Sequence, residues 1–454
     1  MTKHASLIAG TFALLATTAL PALADTEITF LACGDKMQPA HADFIKKWEE
    51  ANAGYKIVSE VVGWGQCQDK VTTLAASGTP VALAYVGSRT LKEFADNELI
   101  VPVPFTDEEK KSYYPFIMDT VTTSGKQWGV PVAFSTKSLY WNKALFKQAG
   151  LDPEKPPQTW AEELEYAKII KEKTGTPGFG VVAKTFDNTM HQFLHWVYTN
   201  NGSVIDAGGN ITFDSKENLE ALTALKDIVP YAEEGPTSYE QNEVRAIFLD
   251  GKLGMIHASV GAVNRLKETK IDWGVAPLPL GPSAKGPGTL LITDSLAVFS
   301  GTGVEEKAIE FAKFLTNAEN QPIYEAQEGL TPLRPGKAVD DMVAATPYWK
   351  PFIDGISFGG PEPLFTDYKG LQNTMIEMVQ SVVTGKAEPA DAPEEGGCRP
   401  RTVQISSTGP RRFRIAVPSL SVRGKAASCR WPEKDTWDSL ISTRFRNSTA
   451  HTRC

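Results

Sequence analysis

Trp64 stands between Gly63 and Gly65, just past an apolar run that ends at Val62. Glycine flanks leave an aromatic face uncovered, so this ring is placed to stack on a flat apolar surface rather than to fill a core. Gln66 beside it adds a planar hydrogen-bonding group. Two further loops carry the same mixture: Gly34-Asp35-Lys36-Met37-Gln38 and Ala84-Tyr85-Val86-Gly87-Ser88-Arg89 each belong to the end of a strand-like run. Aromatic faces beside amides, hydroxyls and cations suit noncovalent recognition of a solute rich in hydroxyl groups. Covalent chemistry has no comparable support. The chain contains no H-E-x-x-H, no Walker loop and no G-x-G-x-x-G after a strand. A glycosidase needs only two carboxylates placed by the fold, so a secreted carbohydrate-active enzyme stays open as a rival. His191 and His195, four apart in HQFLH, would share a helix face at metal-ligand spacing. No third ligand lies nearby in sequence, and a helix facing a cleft or core accounts for the pair. No metal or cofactor is expected.

The elements that must hold these loops alternate. Residues 28–32 read as a strand, Phe44, Ile45 and Trp48 mark a helix, residues 55–62 a second strand, and Val71, Leu74 and Ala75 a second helix. Residues 81–86 give a third strand, and Leu91, Phe94 and Leu99 a third helix. Strand followed by helix, repeated, predicts a parallel sheet. In such sheets ligands bind outside the carboxyl ends of the strands, which is where all three loops fall. A second, more helical region follows Gly129-Val130-Pro131, with aromatic residues over 191–198 and helices capped near Ser215 and Ser238. Residues 273–282, WGVAPLPLGP, and a strand over 295–299 mark another crossing of the chain.

At 454 residues the chain is too long for one hydrophobic core and predicts two or more lobes. Its formal net charge of −8 argues against a nucleic-acid partner or an anionic membrane surface. Lys3 and His4, an apolar run over 7–20 and Ala22-Leu23-Ala24 read as a secretory signal cleaved after Ala24. No later segment reads as a membrane span, and the Cys33 spacing does not fit lipidation. Of the five cysteines only Cys33 and Cys67 lie in the body of the chain. Each follows a predicted strand, so a disulfide formed after export and a pair of free buried thiols both fit. From Pro393 arginine and serine become frequent, the other cysteines appear and helical periodicity ends. Residues 393–454 read as a non-native frame or as a basic disordered tail for partner binding.

Residues 139–164 carry the most specific signal. Leu139, Tyr140 and Trp141 suit a strand that Asn142 ends, and Gly150, Pro153, Pro156 and Pro157 forbid helix until Thr159. Thr159 reads as an N-cap, Glu162 completes a capping box, and Leu164 and Ala167 supply the apolar face. The order N-K-x-L-F-K-x-A-G-L, then Pro156-Pro157, then Thr159-Trp160-Ala161-Glu162-Glu163-Leu164 resembles a hallmark of the family 1 extracellular solute-binding proteins, the sugar receptors of ABC importers.

The resemblance implies an α/β, two-lobed periplasmic-binding-protein fold of type II, each lobe a mainly parallel sheet flanked by helices, with a hinge between them. Residues 25–133 with 294–345 would form the first lobe and 134–293 with 346–392 the second. It implies a periplasmic monomer that captures a carbohydrate and delivers it to the transmembrane subunits of a permease with a cytosolic ATPase, without catalysis. Lys36 and Gln38 correspond to the family's first ligand loop, and Tyr85, Ser88 and Arg89 to a loop that contacts sugar. Family members with an aspartate in place of Ser88 use it for paired hydroxyls, so serine puts that preference in doubt. Ser135 lies at the first crossing. His195 precedes a turn that resembles one beside the family's ligand, and Ser259 and Gly261 stand where many members carry an aromatic residue. Arg334 in LTPLR and Tyr368 in FTDYKGLQ complete the candidates. An alternative keeps the fold and changes the cargo to an anionic solute such as glycerol phosphate or a sulfonated sugar, with Lys36 and Arg89 as anion contacts.

Overall fold

The computed structural model describes residues 25–34, 36–206 and 209–395. Residues 1–24, where the secretory signal is expected, Asp35, residues 207–208 and residues 396–454, with Cys398, Cys429 and Cys454, lie outside the described residues. The strands are β1 (Thr26–Cys33), β2 (Tyr55–Val62), β3 (Leu83–Gly87), a small hairpin of β4 (Thr122–Thr123) and β5 (Lys126–Gln127), β6 (Val130–Ser135), β7 (Lys137–Asn142), β8 (Met255–Ser259), β9 (Trp273–Ala276), β10 (Thr289–Val298) and β11 (Gly359–Pro361).

In the first lobe β1 pairs in parallel with β2 and with β3, and the sheet runs β11-β10-β3-β1-β2 with β6 added alongside β10. Helix Pro39–Ala51 lays Phe44 and Trp48 on this sheet, where Phe311 of helix Glu305–Leu315 meets Phe30 and Trp48 edge-on. The helix expected through Leu99 is shorter, Leu91–Asp96, and the chain turns at Asn97 and Glu98, whose φ of 58° is left-handed. Cys33 at the end of β1 and Cys67 on helix Trp64–Ala76 are joined by a disulfide, with a Cα–Cα separation of 5.6 Å.

The second lobe's sheet departs from the mainly parallel one expected. β7 is its middle strand, and both β8 and β9 pair with it antiparallel. Parallel pairing survives only as single bridges from Phe179 to Met255 and to Ala232. The physical reason is local: Pro177 has no N–H to donate, and the chain is pressed too closely on its neighbours to continue a ladder. A Cβ on Gly178 would lie 2.1 Å from the Ala167 carbonyl oxygen of helix Trp160–Thr174, and one on Gly254 would lie 2.6 Å from the Gly178 oxygen.

Caps follow the sequence in part. Thr159 accepts from Glu162 N–H at 3.2 Å, but the Glu162 carboxylate reaches past it to Gln158 N–H at 2.7 Å, so the reciprocal half of the expected box is displaced by one residue. Ser215 caps its helix as expected. Ser238 does not: it closes a 3-10 turn, and helix Gln241–Leu249 starts after Glu240, whose N–H donates to Glu243.

Two passages between the lobes run through strands, one from β6 to β7 and one along β10. Phe134 packs in the first lobe's core and Leu139 in the second's, on either side of the β6–β7 passage. In β10, Leu290 belongs to the second core and Leu291 to the first. Thr289 locks these passages together: its hydroxyl donates to the Lys137 carbonyl at 2.9 Å and accepts from Lys137 N–H at 3.1 Å. Further along β10 the register against β6 slips between Asp294 and Ser295, opposite Ala133 and Pro131. Such a bulge re-aims a side chain, and here it is Asp294 that turns toward the space between the lobes.

Candidate functional site

A cavity of about 300 Å³ lies between the lobes, beside the carboxyl ends of β2 and β3. From the first lobe come Trp64, Gln68, Arg89, Asp294 and Glu328; from the second come Lys137, Asp187, Asn188, His191, Gln241, Asn242, Arg245, Ser259 and Arg265, with Ser135 at the passage. Trp64 begins helix Trp64–Ala76 directly after β2, and its ring is 41% exposed, edge-on to Tyr85 at 5.3 Å. A second cavity of about 210 Å³ shares Trp64, Gln68, Arg89 and Asp187 and extends toward Tyr368.

Arg89 separates the two. β3 is buried throughout, and the 3-10 turn Ser88–Thr90 that follows it folds the guanidinium back over Gly87, where a Cβ would lie 2.3 Å from Nη1. From there Arg89 reaches Asp187 at 2.8 Å, Glu362 at 3.2 Å and Asp294 at 3.6 Å, and lies 5.8 Å from the Tyr368 ring centre. Asp187 starts helix Asp187–Thr199 of the second lobe, so this ion pair joins the lobes directly. Glu362 also receives His191 Nε2 at 2.6 Å, and Asp294 accepts from Tyr85 Oη at 2.9 Å. Burial works against the charge on Arg89, but Glu362, Tyr368, Asp187 and Asp294 more than offset it and hold it protonated. Burial pushes Asp294 up to about 6 despite Arg89. Glu362 is held below the usual carboxylate range: burial opposes this, and Arg89 and His191 overcome it.

A two-lobed α/β body with an exposed aromatic ring and a set of polar groups facing an inter-lobe cavity is the geometry of a capture site. The model of the bacterial extracellular solute-binding protein family matches residues 34–322, more than half of the chain. The chain belongs to that family. Among curated relatives, a Brucella abortus protein named only as a binding protein is 27% identical over 393 residues, covering 85% of this chain and 94% of its own. The sn-glycerol-3-phosphate-binding periplasmic protein of Brucella melitensis is 29% identical over 312 residues, covering 63% and 70%. Among solved structures, a Thermotoga lettingae ABC transporter solute-binding protein bound with alpha-D-tagatose aligns with a TM-score of 0.73 at 22% identity, covering 82% of this chain and 98% of its own. The maltose-bound MalE3 of T. maritima aligns with a TM-score of 0.72 at 22% identity, covering 82% and 97%. Both structures share the fold of this solute-binding protein.

The structure brings Trp64, Arg89, Ser135 and Ser259 to the main cavity and Tyr368 to the smaller one. The other candidates are placed elsewhere. Ser88 is 1% exposed, with its hydroxyl 2.7 Å from Ser295 Oγ, and lines neither cavity. Tyr85 is buried behind Trp64 as the partner of Asp294. Gln66 is exposed and turned away: because the helix begins at Trp64, the residue sharing its face is four positions on, at Gln68. His195 is 1% exposed, neither ring nitrogen has a partner among the described residues, and burial with the nearby Lys137 charge holds it well below the usual histidine range. His191, one turn earlier, is the histidine at the cavity. Arg334 lies apart from the cleft, stacked 4.0 Å over Tyr113 and donating to Tyr113 Oη at 2.5 Å and the Thr316 carbonyl at 2.7 Å. Lys36 is exposed and Gln38 half-buried just before helix Pro39–Ala51, and neither lines the cavity. Tyr368 is 3% exposed with its hydroxyl 3.6 Å from Met190 Sδ, so it supports Arg89 rather than closing over a ring. Sequence reasoning missed Lys137, Asp187, Arg245, Asp294 and Gln68.

Among the described residues no helix is long and apolar enough to cross a membrane, and no group of three His, Cys, Asp or Glu side chains is arranged to hold a metal ion.

Proposed function

We propose that this solute-binding protein is the periplasmic receptor of an ABC importer, capturing a carbohydrate or polyol between its lobes and handing it unchanged to the permease. The observation that carries this is the half-exposed Trp64 ring facing an inter-lobe cavity of about 300 Å³ whose walls combine planar and charged hydrogen-bonding groups with the apolar side chains of Phe186, Ile292 and Leu330. A sugar presents C–H faces to stack on an indole and hydroxyls to meet Gln68, Asn188, Gln241 and Asn242. The tagatose and maltose bound in the structural neighbours support the ligand class. Closure follows from thermodynamics: only a form in which both walls touch the ligand gains both sets of contacts, so the ligand draws the hinge equilibrium toward it.

A thermal-shift screen over neutral and charged sugars and polyols tests the reading, since a ligand that binds only the folded state raises the melting temperature. The ligand recovered from the complex should be chemically unchanged; conversion to product on prolonged incubation would replace the receptor with a secreted enzyme.

A further inference from the structure

Lys137 opens β7, a strand whose six residues are all buried. It is 9% exposed and lines the cleft cavity. Its backbone is tied to Thr289, but its ε-amino group has no hydrogen bond or ion pair among the described residues. The acidic groups nearby are already committed: Asp187, Asp294 and Glu362 turn to Arg89, and Glu362 also to His191. The strongest electrostatic neighbour of Lys137 is another cation, Arg245 from helix Gln241–Leu249, which lines the same cavity and donates to Asn242. An ammonium withdrawn from water costs several kcal/mol unless something in the site answers it. A neutral hydroxyl would accept from Nζ yet leave two like charges facing each other across the wall; an anionic oxygen relieves both.

We propose that the ligand of the cleft carries an anionic group, as a phosphate, sulfonate or carboxylate on a polyol or sugar, and that Lys137 and Arg245 hold that group. The inference rests on the cleft being the carbohydrate site, and it moves charge recognition away from the pair expected from sequence. Lys36 is exposed outside the cavity, and Arg89 already faces three carboxylates. Trp64, on the facing lobe, is left for the apolar face of the same ligand.

The test is calorimetry and thermal shift on the full chain with matched pairs: ribitol against ribitol 5-phosphate, and glucose against glucose 6-phosphate, 6-deoxy-6-sulfoglucose and glucuronate. The charged member of at least one pair should bind at least tenfold tighter than its neutral partner, and the preferred pair identifies which anion the site takes. Lys137→Met, which keeps the stem and removes the charge, should lose that preference by tenfold or more, while Lys137→Arg retains part of it. Removing a buried unanswered charge should leave the ligand-free Lys137→Met melting temperature equal to or above the wild type, which shows that the variant is folded. A neutral sugar that binds as tightly as its anionic partner, or a folded Lys137→Met with undiminished anion affinity, overturns the inference and leaves the carbohydrate reading standing. Absence of binding by every neutral and charged member, against a broad sugar panel, overturns both.

Discussion

Lys137 is the residue at which charge, burial and ligand meet, and its titration gives the first prediction. Burial lowers its pKa to about 8; Arg245 adds to this, and Glu362, Asp294 and Asp187 oppose it, with His195 also close by. Below that value the ammonium is present to receive an anion; above it the proton must first be restored. For a sulfonated sugar, whose own charge is constant over this range, affinity should stay flat up to about pH 8 and then fall by up to roughly tenfold per pH unit. Calorimetry from pH 6.5 to 9.5 checks this, and Lys137→Met should show no slope. Trp64→Ala should weaken binding by about 1 kcal/mol, or roughly fivefold in Kd, from lost stacking area. At this scale the sequence was legible where a residue's neighbours define its exposure: the glycines around Trp64 announced an open ring. It misled where one residue of helix phase decides the face, so Gln66 was read in place of Gln68 and His195 in place of His191. Lys137 leaves a signal of its own, a lone charge just ahead of the apolar run Leu139 to Trp141.

Elements were legible to the extent that their pattern is local. β2 begins and ends where its apolar alternation does, and the Thr159 and Ser215 caps need only residues three positions away. The antiparallel second sheet was not legible, because strands more than a hundred residues apart choose their direction through the packing around Gly178 and Gly254 rather than through their own composition. Glu233 completes that packing: both its carboxylate oxygens accept from Val181 N–H at 3.1 Å, beside the Phe179 to Ala232 bridge. Burial raises its pKa to about 7. The folded state therefore holds this proton more tightly than the unfolded chain, and the stability it contributes, full below about pH 4.5, is lost as pH rises through 7. Glu233→Gln cannot ionise. Its stability relative to the wild type should therefore climb between pH 5 and pH 8, by up to about 3 kcal/mol, read from denaturant midpoints. The Cys33–Cys67 disulfide acts on the unfolded chain by closing a loop of 34 residues, so Cys33→Ala with Cys67→Ala should cost about 3 to 4 kcal/mol in the same measurement.

At the scale of the whole molecule the fold was legible because one short run, residues 139–164, carries an order of turns and caps that is hard to reach by chance, whereas the contact between lobes was not. Part of that contact is the Arg89–Asp187 pair, with side chains only 7% and 15% exposed. Asp294 holds Arg89 on its own lobe, whereas Glu362, which also takes His191, reaches it from the second, so the bond to Asp187 is one of those that must break when the lobes separate. An open form returns Asp187 to water, which refunds much of the desolvation cost, so the pair biases the hinge modestly rather than locking it. Asp187→Asn keeps the shape and removes the charge. It should shift the ligand-free protein toward the open form, raising the radius of gyration measured by small-angle X-ray scattering, and weaken ligand binding by about 1 kcal/mol because less of the protein starts closed. Since Asp187 also lines the cavity, a weaker affinity alone would equally fit a lost ligand contact. The scattering of the ligand-free protein separates the two: an unchanged radius would confine Asp187 to the ligand, and an increased one assigns it to the hinge.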